Sequence, residues 1–396
     1  MKTRHTILLA PFFVALALLA AVPGNAVAKN ISTQAEYAIL IDATTDTILL
    51  EKNADTPFPP ASMSKMMTTY IAFEMLKRGE ISMGETTVVD RETFRKWRLQ
   101  GSTMFLNAGD EVTIAQLLRG IIVQSGNDAC VVLAEALAGS EDIYVQWMNE
   151  KAEELGLTGS VFKNTTGWPA EGHVVTARDM AILAERLIED FPELYKLYAE
   201  TSFTYGTDPT TGEPLTQPNR NPILNGSVAG GDGLKTGHTE EAGFGLTGSA
   251  IRDGRRIIMV VAGLDSSAAR ARESQRLIEY GFRNFKVLKL FSAGQVVEQA
   301  PVWLGEKGKV PLVTASDVNV TMSRNARRKM KVTLAYDRPI PAPIKKGTPL
   351  ATVTITMPDR EPLVIPLVAG RDVGNVGGLG QVGAALKYLV FGSSGE

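Results

Sequence analysis

The stretch 58-FPPASMSKMMTTYIAFEMLK-77 decides how this chain is read. From Ser62 to Lys77 it is largely apolar on all sides, the pattern of a buried helix. Ser62 stands three residues before Lys65, so on a helix both side chains project from one face. Two readings compete. In one, Ser62 and Lys65 are a helix cap and a surface lysine. In the other, Ser62 is a nucleophile and Lys65 takes its proton, since a serine hydroxyl is a poor nucleophile until a neighbouring base does so. A lysine can be that base only where burial or a second cation lowers its pKa. The spacing alone decides nothing, because Ser160 and Lys163 repeat it and are assigned no role.

Two later segments favour the chemical reading. Ser125-Gly126-Asn127 interrupts two helical runs, IAQLLRGIIVQ, capped by Thr113, and DACVVLAEALAG. Lys235-Thr236-Gly237 follows a Gly-, Asn- and Pro-rich loop from Arg220 to Asp232 and precedes a strand. An S-x-x-K, an S-x-N and a K-T-G in this order form the motif set of penicillin-binding proteins and class A β-lactamases. The apolar helix offers Lys65 burial, and Lys235 offers the second cation. Amides at a helix start help hold a tetrahedral oxyanion. Ser125 can relay a proton to a leaving amine, and Asn127 can hold a substrate amide. Lys235, Thr236 and His238 would line a strand edge to which an extended peptide adds.

Around these motifs, Tyr37–Ile41 and Thr47–Leu50 read as a hairpin, residues 141–155 as an amphipathic helix, and Thr176 with Asp179 as a capping box. GFGLTGSAI and RRIIMVVAGL read as paired strands, and ARESQRLIEYGFRNF as a last helix. Strands in adjacent pairs among many helices predict an α+β fold with an antiparallel sheet. Beyond Phe291 short alternating segments predict a small antiparallel β domain.

With these segments in view, the chain resembles the low-molecular-mass penicillin-binding proteins, the serine-type D-alanyl-D-alanine carboxypeptidases. The likeness extends over 39-ILIDATTDTILLEKNAD-55, 164-NTTGWPAEGHVVTARDMAILA-184, 230-GGDGLKTGHTEEAGFGLTGSA-250, 270-RARESQRLIEYGFRNF-285 and 344-IKKGTPLATVTI-355. It implies a penicillin-binding/β-lactamase-like catalytic domain over 29–290, a β-sandwich-like domain over 291–375 and a tail over 376–396. It also implies roles. Ser62 is the acylated nucleophile, Lys65 the general base, and Ser125 and Asn127 the second motif. Lys235, Thr236 and Gly237 are the third motif, and the amides of Ser62 and His238 the oxyanion hole. Arg270, rather than the nearby Arg272, receives the substrate's terminal carboxylate together with Thr236. The implied substrates are peptidoglycan stem peptides, with β-lactams as inhibitors and no cofactor. Trp168 departs from the family, which usually has Leu there.

The remaining features bound the setting. Lys2, Arg4 and His5, an apolar run from Ile7 to Val22 and Ala26-Val27-Ala28 read as a secretory signal over 1–28, with an uncleaved anchor as the alternative. Its removal takes two of the 41 basic residues, leaving 39 against 43 acidic and a net charge of −4, which gives no sign of nucleic-acid binding. A lone cysteine, Cys130, excludes an internal disulfide and reads as a buried thiol. His173 reads as a satisfied loop histidine, and no histidine pair has metal-ligand spacing. The basic run 324–331 reads as a solvated turn rather than a surface for anionic lipid or wall polymer. Leu379, Val382, Leu386, Leu389 and Val390 share a helical face, which predicts weak, peripheral attachment to the outer face of the cytoplasmic membrane. A β-lactamase, a DD-endopeptidase and a non-catalytic wall-binding scaffold remain as alternatives. Against the first, no Glu-x-x-Leu-Asn-like segment lies between Asn127 and Lys235, and Glu171 sits in a different context.

Overall fold

The computed structural model describes residues 31–207, 211–358 and 360–377. The expected leader and the apolar face at Leu379 to Val390 lie outside the described residues.

The hairpin is present as β1 (Tyr37–Asp42) and β2 (Thr47–Lys52). The long helix starts later than its apolar run: Ala61–Ser64 form a 3-10 turn, and α1 (Lys65–Arg78) follows and ends at a left-handed Gly79. Next come β3 (Thr86–Val88), α2 (Arg91–Trp97) and β4 (Glu111–Thr113), none of them expected. At α3 (Ile114–Arg119) the Thr113 hydroxyl accepts from the Gln116 amide while the Gln116 side chain accepts from the Thr113 amide, a full capping box. A π-helical turn, Gly120–Gln124, then leads to Ser125.

The helices α4 (Asn127–Ala138), α5 (Glu141–Glu154), α6 (Ala177–Asp190) and α7 (Pro192–Tyr195) follow. Thr176 caps α6 through the Asp179 amide, but only half of the expected box forms. The Asp179 carboxylate instead accepts from the Gly159 amide and the Ser160 hydroxyl. That bond gives Ser160 a structural place and accounts for the second S-x-x-K. The chain continues through an unexpected hairpin, β5 (Ser202–Thr207) and β6 (Pro214–Pro218), to β7 (Gly231–Thr239), β8 (Gly243–Arg252), β9 (Arg255–Leu264) and α8 (Ser267–Asn284).

The central sheet has the order β2-β1-β9-β8-β7, antiparallel throughout, as expected of the α+β class. Side chains alternate across a strand, and the alternation divides two cores. Ile39, Ile258 and Val260 enter one core with Met66, Leu117 and Leu183. Leu40, Ile257 and Met259 enter the other with Leu277, Ile278 and Phe282 of α8. The sheet is buried on both faces, and β7, its edge strand, packs against the Ala61–Ser64 turn.

The C-terminal part consists of β10 (Phe285–Phe291), β11 (Val296–Trp303), β12 (Lys309–Thr314), β13 (Val318–Ser323), the short α9 (Arg324–Lys329), β14 (Lys331–Ala335), β15 (Ile340–Pro341), β16 (Pro349–Met357) and β17 (Arg360–Ala369). A six-stranded sheet, β14-β16-β17-β12-β11-β15, and the pair β10-β13 share a third core that includes Leu312, Val320, Ile355 and Leu367. The basic run is thus a helix rather than a turn, capped by Ser323, with Arg324, Arg327, Arg328 and Lys329 exposed. The two parts meet at Asp42, which is buried, pairs with Arg255 at 2.8 Å and accepts from the Thr321 hydroxyl at 2.8 Å.

Candidate active site

Ser62 lies partly exposed in the 3-10 turn and lines a cleft of about 450 Å³. Ser64, two residues on, is buried and donates to the Ala61 carbonyl. Of the two serines, only Ser62 meets the cleft. Lys65 opens α1 and is 0% exposed. Its Nζ lies 2.9 Å from Ser62 Oγ, donates to Asn127 Oδ1 at 2.8 Å and also contacts the Thr166 carbonyl. The last partner is held by Asn164, whose Oδ1 accepts from the Thr166, Gly167 and Trp168 amides. Burial, and then the Arg220 guanidinium, bring the Lys65 pKa down to about 8.

The second group is Ser125 with Lys235. Ser125 ends the π-helical turn in the left-handed region, at φ 61°. Its Oγ accepts from Lys235 Nζ at 2.9 Å, and Lys235 also donates to the Thr236 carbonyl. Burial, then Lys65 and Arg220, hold Lys235 well below its usual pKa. Lys65 thus helps to lower Lys235, but the cation that lowers Lys65 is Arg220, which sequence reasoning missed, and not Lys235 as expected. Arg220 donates to Ser102 Oγ and the Gln124 carbonyl. A single arginine in a Gly-, Asn- and Pro-rich loop gives no signal of its own. Asn127 does not cap α4, because Gly126 occupies that position; its Nδ2 donates to the Gln100 carbonyl.

β7 supplies Thr236, Gly237 and His238 to the same cleft. A Cβ on Gly237 would stand 3.1 Å from the Pro60 carbonyl and 3.2 Å from Ala61 Cβ, so the strand is pressed onto the turn that carries Ser62. The His238 ring is exposed and stacks on Phe244 at 3.8 Å. Arg270 follows in the first turn of α8 and is 6% exposed, whereas Arg272 is exposed and does not line the cleft. The Arg270 guanidinium lies over Phe244, reaches the Arg220 carbonyl and Ser267 Oγ only at 3.5 Å, and leaves its Nε without a partner. Burial, then Arg220, bring its pKa down to about 10.

Among the described residues, no Asp or Glu lines this cleft. A serine with a deprotonatable amine, a second serine–lysine pair and two arginines suit attack on a carbonyl next to a carboxylate. Trp168 forms part of the rim, 41% exposed, with its indole edge-on to Trp97 at 6.1 Å. Cys130 is buried, and burial pushes its thiol up to about 12, in line with a structural thiol. His173, expected to be satisfied, is buried with neither ring nitrogen in hydrogen-bond geometry to a partner. Among the described residues no group of three or more His, Cys, Asp or Glu could hold a metal ion.

Comparison with known proteins points the same way. The family model described as D-alanyl-D-alanine carboxypeptidase matches residues 24–266, and that of the penicillin-binding protein 5 C-terminal domain matches residues 285–375. The chain is 36% identical over 355 residues to the D-alanyl-D-alanine carboxypeptidase DacC of Escherichia coli (strain K12), covering 89% of this chain and 87% of the relative. Penicillin binding protein 5 from Haemophilus influenzae superposes with a TM-score of 0.75 at 33% identity, over 88% of this chain and 100% of that one. The D-alanyl-D-alanine carboxypeptidase DacD from Francisella tularensis does so with a TM-score of 0.77 at 29% identity, over 93% and 100%.

Proposed function

The chain belongs to the D-alanyl-D-alanine carboxypeptidase family, and from that premise we propose how its residues remove the terminal D-alanine of peptidoglycan stem peptides. Neutral Lys65 takes the Ser62 proton as Oγ attacks the carbonyl between the two D-alanines. The amides of Ser62 and His238 hold the oxyanion. Ser125, bonded to Lys235, passes a proton to the departing D-alanine nitrogen. Water then releases the shortened peptide from Ser62. Asn127 orients the peptide, which adds along the edge of β7 at Thr236 and Gly237. Arg270 and Thr236 hold the terminal carboxylate. The observation that carries this reading is the 2.9 Å contact between Ser62 Oγ and a fully buried lysine, in a cleft that no Asp or Glu lines among the described residues.

β-Lactams acylate Ser62 in this scheme, since they mimic the D-Ala-D-Ala unit. The β-lactamase alternative is disfavoured because Glu171, the acidic residue weighed for it, does not line the cleft of Ser62. The leader read in residues 1–28 supports export to the periplasm, and the apolar face read in the tail supports peripheral membrane contact. The test is to incubate the purified protein with a D-Ala-D-Ala-terminated pentapeptide and, separately, with a fluorescent penicillin. Release of one D-alanine and slow loss of bound penicillin are expected. Rapid penicillin turnover would establish a β-lactamase, and failure of both reactions a non-catalytic scaffold.

A further inference from the structure

Three acceptors surround the Lys65 amine, and a protonated amine has three N–H bonds to give. They are Ser62 Oγ, Asn127 Oδ1 and the Thr166 carbonyl. Two of them have an evident anchor. Ser62 stands in the turn that leads into α1, and Asn127 opens α4 and is tied to the Gln100 carbonyl through Nδ2. Thr166 lies between α5 and α6, outside any helix or strand, so its carbonyl needs a separate hold.

Asn164 supplies it through one peptide unit. The C=O and N–H of a trans peptide point in opposite directions. The Thr166 carbonyl shares its trans peptide with the Gly167 amide, and that amide donates to Asn164 Oδ1 at 2.8 Å. Asn164 therefore holds the N–H end while the C=O end meets Lys65. The same oxygen accepts from the Thr166 and Trp168 amides at 3.2 and 3.1 Å and from the Thr166 hydroxyl at 3.0 Å, and Nδ2 donates to the Trp168 carbonyl at 2.8 Å. Gly167 itself is pressed onto the turn of Ser62, since a Cβ on it would stand 1.8 Å from the Ala61 carbonyl. Asn164 lies outside the residues that line the catalytic cleft, so it acts through this loop alone.

We propose that Asn164 is a positioning residue for acylation: it aims the Thr166 carbonyl at Lys65 and so completes the set of acceptors that holds the proton taken from Ser62. This rests on the peptidase reading above, with Lys65 as the base. A hydrogen bond from the ammonium to the carbonyl favours the protonated amine. Without that aim the ammonium loses an acceptor and gives up its proton at lower pH. The other charged and titratable groups around Lys65 are Arg220, Lys235 on β7, Asp128 and Cys130 on α4, and His173 on the loop. Among the described residues the Asn164 side chain bonds only to residues 166–168, so none of these groups loses a direct partner when it is replaced. Cys130, pushed up to about 12, and His173, brought down to about 4, do not titrate between pH 6 and 10, and Lys235 titrates alike in every variant.

The test is stopped-flow acylation by penicillin across pH 6–10. The native enzyme should show a midpoint near 8. In Asn164→Ala the midpoint should fall by about one unit, the scale of one hydrogen bond to a charged group. Its plateau rate should fall several-fold, since a weaker base takes the proton less readily. Asn164→Asp keeps an oxygen for the three amides and adds a negative charge, so its midpoint should stay at the native value or rise. Thr166→Val removes the hydroxyl but keeps the Gly167 bond, and its midpoint should stay native whatever happens to its rate. Urea unfolding reports whether each variant folds. Should Asn164→Ala not fold, Asn164→Ser, whose hydroxyl makes the same turn more weakly, takes its place with a fall of about half a unit. A native midpoint in Asn164→Ala, or in Asn164→Ser in its place, would make Asn164 structural and overturn the proposal while leaving Lys65 as the base. An equal fall in Asn164→Asp or Thr166→Val would do the same. A flat profile in the native enzyme would overturn Lys65 as the base, and native enzyme that penicillin never acylates would overturn the peptidase reading; the proposal falls with either.

Discussion

Lys65 shows how burial sets chemistry at the scale of a residue. It is enclosed by the apolar helix that the sequence displayed, and its amine faces Ser62, Asn127 and the Thr166 carbonyl. With a pKa near 8 it is mostly protonated at pH 7, and only the neutral amine can accept the Ser62 proton. The rate of penicillin acylation should therefore rise with pH through a midpoint near 8 and level off above it. Lys65→Arg, which stays charged, should fail to acylate even on that plateau. Stopped-flow acylation across pH 6–10 checks both, and a flat profile in the native enzyme would assign the proton to another group. Arg270 makes a separate prediction. Its guanidinium has no ion-pair partner among the described residues, so Arg270→Ala should cost about 2 kcal/mol in kcat/KM on peptides with a free C-terminal carboxylate. Substrates that lack that carboxylate should be spared, and equal losses on both would make Arg270 structural.

At the scale of elements, the features legible in the sequence were those with a long period or a cap. The β1–β2 hairpin, α1, α5 and the pair β8–β9 declared themselves by alternation or helical spacing, and Thr113 and Thr176 by capping. The β3–β4 ladder was not legible, because three residues a strand carry too little alternation. The π-helical turn was hidden too; Gly120, at its start, lies against Met104, where a Cβ would stand 2.3 Å from the sulfur. Arg220 joins the cleft only when distant loops meet, whereas Asn164 acts within its own loop by accepting from the amides of residues 166–168. Gly167 gives this a testable form. It has φ +81°, and a Cβ on it would stand 1.8 Å from the Ala61 carbonyl and 2.7 Å from Ser64 Oγ. Gly167→Ala should cost about 2–5 kcal/mol through backbone strain and overpacking, and it should shift the turn that holds Ser62. Urea unfolding and penicillin labelling together check this; an unchanged midpoint with full labelling would mean the loop gives way freely.

Across the whole molecule, the change of composition near Phe291 announced a β-rich C-terminal part, but not the strand order β14-β16-β17-β12-β11-β15, which depends on non-local pairing. The sequence also gave no sign that Asp42, at the end of β1, would join the two parts. Its carboxylate is buried between Arg255 and Thr321. Removing one partner of a buried pair strands the other charge, so Asp42→Ala should cost about 3–5 kcal/mol. Thr321→Val, which removes one neutral donor to that carboxylate, should cost about 1 kcal/mol. Denaturant unfolding measures both, and a change below about 0.5 kcal/mol for Asp42→Ala would show the pair to be dispensable.

The central claim is that Ser62 carries the acyl group. Mass spectrometry of the proteolysed penicillin adduct tests it most directly, with Ser62→Ala and Ser64→Ala alongside. The exposure of Ser62 to the cleft and its contact with Lys65 predict a single adduct on Ser62, absent in Ser62→Ala and retained in Ser64→Ala, whose hydroxyl is turned to the Ala61 carbonyl. An adduct on Ser64, or undiminished labelling of Ser62→Ala, would contradict the account.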